Sequence, residues 1–383
     1  MRVLHVYRTY YPDQPSGIAE AMRQMCLSTR PLGVESIIFA LSPRPEQSRP
    51  APEARLERAR SWAAPASCDL GGPQAFRKFA ALAGRADIIH YHYPWPFGDL
   101  LHLATNPAAP AVLTWHSDIV RQKLFARFYR PLMDAMLRKM TLITATSPAY
   151  ARTSPVLARP GVRERVRLVP LGVVESSLAA PPDDDIIPRL GVRGPFVLFL
   201  GAMRYYKGLP WLLEAARRTG VAVVLAGGGP EKPAMERLAG ETRGRNVFFA
   251  GRVSEAEKTA LLRACRAVVL PSHLRSEAYG MALVEAALCA KPMVSCEIGT
   301  GTSYINLDRV TGFVVPPQDP EALGGALRAL AGDEALAARL GAAARARYDD
   351  LFSGSATGRA HHALYTEALS TRKTAAPQRR IKG

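Results

Sequence analysis

Apolar residues in this chain come in short bursts rather than in long stripes. Twelve runs stand out: residues 3–7, 36–41, 87–91, 111–115, 142–146 and 166–169, then 196–200, 222–226, 247–250, 267–270, 293–296 and 312–315. Helix-length segments separate them. A strand buried on both faces reads as a continuous apolar run, and a parallel neighbour needs a crossover, usually a helix. The pattern predicts an α/β protein with parallel sheets. Twelve strands exceed one comfortable sheet, so two doubly wound domains of six strands each are expected. The proline- and glycine-bearing stretch PPDDDIIPRLGVRG reads as the joint, with Asp183, Asp184 and Asp185 as solvated charges. The expected division is an amino-terminal domain over 1–175, a linker over 176–192, a second domain over 193–352, and a carboxyl-terminal helix with a basic tail over 353–383. Residues 42–65, rich in Pro and Arg, read as a surface excursion.

Composition changes this picture only in part. The 383 residues include 48% hydrophobic and 22% charged residues, as in ordinary globular proteins. The net charge of +17 points to an anionic partner: nucleic acid, a membrane surface or a phosphorylated substrate. Five cysteines without ligand spacing read as reduced thiols in a reducing compartment. No run approaches the length of a membrane span, so a cytoplasmic protein, peripheral at most, is expected. Residues 1–180 carry 23 Lys and Arg against 13 Asp and Glu. Within 119–140, Arg121, Lys123, Arg127, Arg130, Arg138 and Lys139 interleave with Phe125, Phe128 and Tyr129. Such a segment suits an anionic lipid surface, or packs its aromatics into the core.

Ligands of open parallel sheets bind beyond the carboxyl ends of the strands, so the residues there are the candidates. In SEAYGMALVEAALCA, Glu285 is the one acid in an otherwise apolar helix. A buried carboxylate needs donors, and two neighbouring ribose hydroxyls would supply them; an unseen Arg or backbone amide is the plainer alternative. Glu277 precedes that helix, and the amides of Gly280 and Met281 would face a phosphate at its start. In FVLFLGAMRYYKG, Arg204 and Lys207 follow a strand end and suit a diphosphate. His116 ends the run AVLTWHSD, with Asp118 close behind. His90 and His92 hold the equivalent place on the preceding strand, where Trp95 and Trp115 would wall a pocket. AGGGPE lets backbone approach a ligand closely. GxGxxG is missing after the first strand and in AGGGPE, which disfavours a dinucleotide oxidoreductase. The basic residues form no recognised nucleic-acid motif, so nucleic acid is not expected as a partner.

Glu277 and Glu285, with seven residues between them, resemble the signature of the retaining glycosyltransferases of family 4. The turn of residues 201–208, the GGGPE loop, NVFFAGRV, HSD and TGFVVPP follow in that family's order over nearly the whole chain. HYHYPWPFGD, TWHSDIVRQK, RYYKGL, SHLRSEAYG and CEIGTGTSYIN are similar to the mannosyl- and D-rhamnosyltransferases of bacterial O-polysaccharide assembly. The resemblance implies the GT-B fold: two Rossmann-like domains facing across a cleft, with a carboxyl-terminal helix crossing back. It implies that Glu285 binds the nucleotide ribose, Glu277 the donor sugar, Lys207 the diphosphate and the Gly280–Met281 amides a phosphate. His116 would lie near the donor sugar, and Gly17 in a first-domain loop approaching the phosphates. His92, Trp95 and Asp118 are candidates for the acceptor side. Ala202 stands where the family usually has Arg, so Arg204 takes that part. Ser16-Gly17 replaces the usual pair of glycines.

The implied reaction moves mannose or D-rhamnose from GDP-mannose or GDP-D-rhamnose to a polyprenyl-diphosphate-linked saccharide at the inner face of the cytoplasmic membrane. Configuration would be retained, with the leaving phosphate as acceptor base. No DxD follows a strand, so no divalent metal or other cofactor is expected. The alternatives are a UDP-sugar transferase or epimerase of the same fold, and a non-catalytic sugar-nucleotide-binding module.

Overall fold

A computed structural model of the chain describes residues 1–13, 16–47, 51–65, 68–119, 123–241 and 246–375. Fourteen strands form two sheets among them. The first sheet holds β1 (Arg2–Val6), β2 (Glu35–Ser42), β3 (Arg55–Ala63), β4 (Leu70–Gly71), β5 (Ile88–Tyr93), β6 (Ala111–Trp115), β7 (Leu142–Ala145) and β8 (Val166–Leu168). The second holds β9 (Phe196–Leu200), β10 (Ala222–Ala226), β11 (Val247–Gly251), β12 (Ala267–Leu270), β13 (Met293–Cys296) and β14 (Gly312–Val315). All twelve apolar runs are strands. Their neighbours are parallel throughout, as continuous apolar runs require.

The chain divides into two compact units. The first comprises Met1–Thr146, Ala151–Leu171 and Gly354–Gly383; the second comprises Ser147–Tyr150 and Gly172–Ser353. In the first, the strand order is β4-β3-β2-β1-β5-β6-β7-β8. The sheet has eight strands rather than six because the supposed surface excursion contains β3. That strand runs parallel to β2, and the short β4 pairs with it antiparallel. Its sequence, RLERARSWA, shows no apolar run because it lies toward the edge, where charge is tolerated. Arg58 is nevertheless buried and donates to the carbonyl of Tyr11.

The Gly354–Ala375 helix lies in this unit. Its Leu364, Tyr365 and Ala368 share a core cluster with Val3, Ile88, Val112, Leu142 and Val169. Arg167 and Glu367 pair at 2.6 Å beside it.

The second sheet has the order β11-β10-β9-β12-β13-β14, doubly wound from β9 outward. Residues 176–192 fold within this second unit. They include the short Ile186–Leu190 helix, where Ile186 is buried and Arg189 pairs with Glu257. The five cysteines are free. Among the described residues, no helix is long and apolar enough to cross a membrane.

Two parts of the basic segment behave differently. Tyr129, Met133, Met136 and Leu137 of the Lys123–Lys139 helix are buried, and the Tyr129 hydroxyl donates to Asp99. Phe128 is 78% exposed, and Arg127, Arg130 and Arg138 of the same helix are exposed as well. Arg121, the side chains of Lys123 and Phe125, and the tail from 376 onward lie outside the described residues.

Candidate active site

In the second unit the candidates collect at the carboxyl end of the sheet. After β9 the chain runs through Gly201 into a single tight turn, Tyr205–Lys207, and then the Leu209–Thr219 helix. The Met203 amide donates to the Gly228 carbonyl at 2.7 Å, which laces this turn to the glycine loop after β10. Gly208 has φ +70°, and a Cβ there would stand 1.9 Å from the carbonyl oxygen of Pro271. Only glycine permits that approach between the turn and the loop after β12. The His273 amide donates to the Tyr206 carbonyl at 3.0 Å across the same contact.

This approach brings Lys207 against Glu277. Their side chains form an ion pair although seventy residues separate them (70). Lys207 is 9% and Glu277 8% exposed. The Ser272 hydroxyl also donates to Glu277, at 2.7 Å. Burial works against the ammonium charge of Lys207, but the Glu277 carboxylate outweighs it and the lysine pKa is raised. A buried cation is thus held charged at a strand end, beside Gly201. Arg204 is exposed on the same turn, and the Arg252 side chain lies 3.4 Å from where a Cβ on Gly228 would sit.

Gly280 caps the Met281–Leu288 helix with φ 99°, a left-handed conformation, and makes no side-chain cap hydrogen bond. Glu285 lies on this helix, but it is not solitary. Lys258, from the Glu255–Ala264 helix, reaches it at 3.0 Å and also contacts Glu255 at 2.7 Å. The Glu285 side chain is 14% exposed. Burial disfavours the Lys258 charge, yet Glu285 first and then Glu255 more than offset it, and the lysine pKa is raised. Glu285 therefore has a side-chain cation partner, a lysine rather than the arginine or backbone amide of the plainer alternative.

In the first unit several expectations need correction. Gly17 is the first residue of the Gly17–Thr29 helix rather than part of a loop, and Ser16 caps that helix by accepting from the Ala19 amide at 3.1 Å. His92 lines no pocket: it is 2% exposed and sits between His5 and His116. Trp95 is buried and donates through Nε1 to the Asp69 carbonyl at 2.9 Å. Trp115 is buried against Tyr93, with ring centroids 3.7 Å apart. Large aromatic surfaces next to an apolar sheet gain more from burial than from walling a wet site. Asp118 accepts from Trp115 Nε1 at 3.0 Å and from the Ser154 hydroxyl at 2.7 Å, so it anchors the segment after β6. His116 follows β6 as expected and is 7% exposed.

The description "Glycosyl transferases group 1" matches residues 184–347, and "Glycosyl transferase 4-like domain" matches residues 16–172. O-antigen chain mannosyltransferase C of Escherichia coli is 38% identical over 372 residues, 97% of this chain and 100% of the relative. The chain belongs to the glycosyltransferases. D-rhamnosyltransferase WbpZ of Pseudomonas aeruginosa is 42% identical over 355 residues, covering 92% of each chain. Among solved structures, sucrose-phosphate synthase from Thermosynechococcus elongatus superposes with a TM-score of 0.77 at 20% identity, over 97% of this chain and 99% of that one. Anabaena HepE in complex with UDP-glucose gives 0.76 at 19% identity, over 97% and 100%. The glycosyltransferase thus has the GT-B type of fold, built from two parallel-sheet α/β units.

In this glycosyltransferase the second unit brings Lys207, Glu277 and Ser272 together and holds Glu285 apart with Lys258. Sequence reasoning missed Ser272 and Lys258. Ser272 had a usable signal, because it lies directly after β12 at the ligand end of the sheet. Lys258 had none, because its contact with Glu285 depends on the packing of two helices.

Proposed function

We propose that this glycosyltransferase moves mannose or D-rhamnose from a GDP-sugar to a lipid-linked saccharide in O-polysaccharide assembly. It retains the anomeric configuration and uses no divalent metal. The observation that carries the donor site is the buried Lys207–Glu277 pair at the carboxyl end of the second sheet. The sugar class comes from the two relatives similar over almost their full length.

The chemistry follows from charge. When the glycosidic bond breaks, negative charge grows on the leaving phosphate. Lys207 is a preorganised cation for that charge, and Arg204 and the amides at Gly280–Met281 add to it. Glu277 orients Lys207 and accepts from sugar hydroxyls. Glu285 takes the ribose diol, with Lys258 paired to it. His116 meets the donor sugar. The acceptor hydroxyl attacks from the leaving-group side, and the departing phosphate takes its proton.

A donor panel tests the reading. Only GDP-sugars are expected to be consumed with a polyprenyl-diphosphate-linked GlcNAc acceptor, and NMR of the product should show an α linkage from an α donor. GDP should raise the melting temperature, by the equivalent of about 2.7 kcal/mol at a hundredfold excess over its Kd, while UDP leaves it unchanged. Transfer from UDP-sugars instead would reject the donor assignment.

The acceptor end is proposed to be a membrane surface on the cytoplasmic side. Phe128 is an exposed aromatic on a helix that also exposes Arg127, Arg130 and Arg138, a combination that suits anionic lipid. Flotation with phosphatidylglycerol vesicles should show binding at low salt and release at high salt. Phe128→Ala should weaken it several-fold. Salt-insensitive binding, or none, would remove the membrane from the proposal.

A further inference from the structure

Strand register places a row of polar side chains on one face of the first sheet. His5 on β1 lies beside His90 on β5, His92 beside Thr114 on β6, and Thr114 beside Thr144 on β7. His116 follows two residues after Thr114. The Gly354–Ala375 helix adds Tyr365 and His361 to the same cluster. The polar atoms are satisfied largely by one another. His90 bonds the Tyr365 hydroxyl at 2.8 Å and the Thr114 hydroxyl at 2.7 Å. His92 bonds His5 Nδ1 through its Nε2 at 3.2 Å, and His116 Nε2 through its Nδ1 at 2.9 Å.

The three rings form a line. Centroids of His5 and His92 are 5.5 Å apart, and those of His92 and His116 are 5.2 Å apart. In both pairs the centroid separation exceeds the N···N distance by one ring diameter. The hydrogen bonds therefore run along the ring axes, in planes inclined by only 25° and 22°. His90 stacks face-on to His92 at 4.7 Å and takes no part in the line.

A metal is the obvious competing use, since nitrogens of His5, His90 and His92 lie within 4.8 Å of one another. But both nitrogens of His90 are held by hydroxyls and both of His92 by its neighbours. The set has no convergent free lone pairs to offer a cation.

We propose that His5 and His92 are positioning residues that hold His116 as its Nδ1–H tautomer, with His116 Nε2 accepting from His92. A neutral imidazole has one N–H and one acceptor. A line of three such rings has two arrangements, with every proton on Nδ1 or every proton on Nε2. The far end decides between them. His5 Nε2 is buried and has no hydrogen-bond partner among the described residues. An N–H buried without an acceptor is the rarer and costlier orphan, so the bare end is a lone pair. His5 then donates from Nδ1 to His92, and His92 donates from Nδ1 to His116. His116 keeps its proton on Nδ1 and serves as a fixed donor rather than a base.

Burial keeps the line neutral: it pushes His5 and His116 down to about 3, with the nearby His361 adding to it. The groups bearing on the line are the imidazoles His90 and His361, the Tyr365 phenol, the Tyr7 ring edge, and the Thr114 and Thr144 hydroxyls. A ring that only donates suits a sugar hydroxyl oxygen. That last step rests on the donor-site reading above; the tautomer does not.

The test is a nitrogen-15 imidazole correlation spectrum of the full-length chain at pH 7, with His116 assigned by loss of its signals in His116→Asn. The expected spectrum shows a protonated Nδ1 and a bare Nε2 at His116. A protonated Nε2 there, or an imidazolium, overturns the proposal whatever the enzyme's activity. Two variants supply a second arm, with folding checked by circular dichroism. His92→Phe keeps the ring volume and removes both bonds; His92→Gln keeps an amide N–H for His116 Nε2. The Phe variant should lose about tenfold in kcat at unchanged donor KM and show both neutral tautomers of His116 in the nitrogen-15 spectrum. The Gln variant should restore most of kcat and the single Nδ1–H tautomer. Equal behaviour of the two folded variants overturns the positioning role. A parent enzyme that transfers no sugar rejects the donor-site reading, while the spectrum still judges the tautomer.

Discussion

Lowering the pH from 7 to 5 should unfold the first unit while the second stays folded. Six histidines of the first unit are buried. Burial pushes His5 and His116 down to about 3, His102 and His361 to about 4, and His90 and His92 well below the ordinary value. In the unfolded chain each titrates near 6.5. Between those limits the unfolded chain holds more protons, so stability present above about pH 6.5 is lost as the pH falls. Each group contributes up to about 1.4 kcal/mol per pH unit. Asp99 acts in the opposite sense. Burial pushes it up to about 8, so its contribution is full in acid and is lost as the pH rises through that value. It offsets one histidine. The net slope is on the order of 7 kcal/mol per pH unit, against a total stability of about 5–15 kcal/mol. Trp95 and Trp115 are buried in this unit, so tryptophan emission should shift to the red between pH 6 and 5. Native emission with an unchanged urea midpoint at pH 5 would contradict it.

Lys207→Ala should reduce turnover about 10²–10³-fold, the usual loss when one preorganised charge facing a transition state is removed. The variant also leaves Glu277 buried without its cation, which is destabilising by about 3–5 kcal/mol in comparable pairs. The two effects can be separated. Lys207→Met combined with Glu277→Gln removes both charges and should recover most of the lost melting temperature, because an uncharged pair needs no compensation. Turnover should stay at the level of the single variant. Near-parental activity in the double variant would show that the pair only holds the turn after β9 to the loop after β12.

The strands were readable because a strand covered on both faces carries its burial in its own sequence. Phe196–Leu200 and Ala267–Leu270 have no other plausible fate. β3 was not readable, because residues such as Arg55, Glu57 and Arg60 mask an outer strand whose pairing is made by backbone. The site was legible only where chemistry sits next to a strand end, as for His116 and Lys207. Glu285 looked like a lone acid because Lys258 approaches from a helix 27 residues earlier, a tertiary fact that no spacing records. The HYH of β5 advertised a pocket, yet period-2 alternation turns both histidines inward, where His5 from β1 meets them.

The placement of the Gly354–Ala375 helix bears on how the protein is made. Tyr365 supplies a hydroxyl to His90, and Leu364 and Ala368 close the core around Val3 and Ile88. On the ribosome, the first unit lacks this cover until the Gly354–Ala375 helix has emerged. The second unit, with its β-sheet finished at Val315, acquires its last helices while the earlier-made half still exposes its histidine row to water. Maturation of this enzyme therefore runs against the order of synthesis, and a nascent chain stalled before residue 354 would present a finished second unit joined to an open, chaperone-accessible first one.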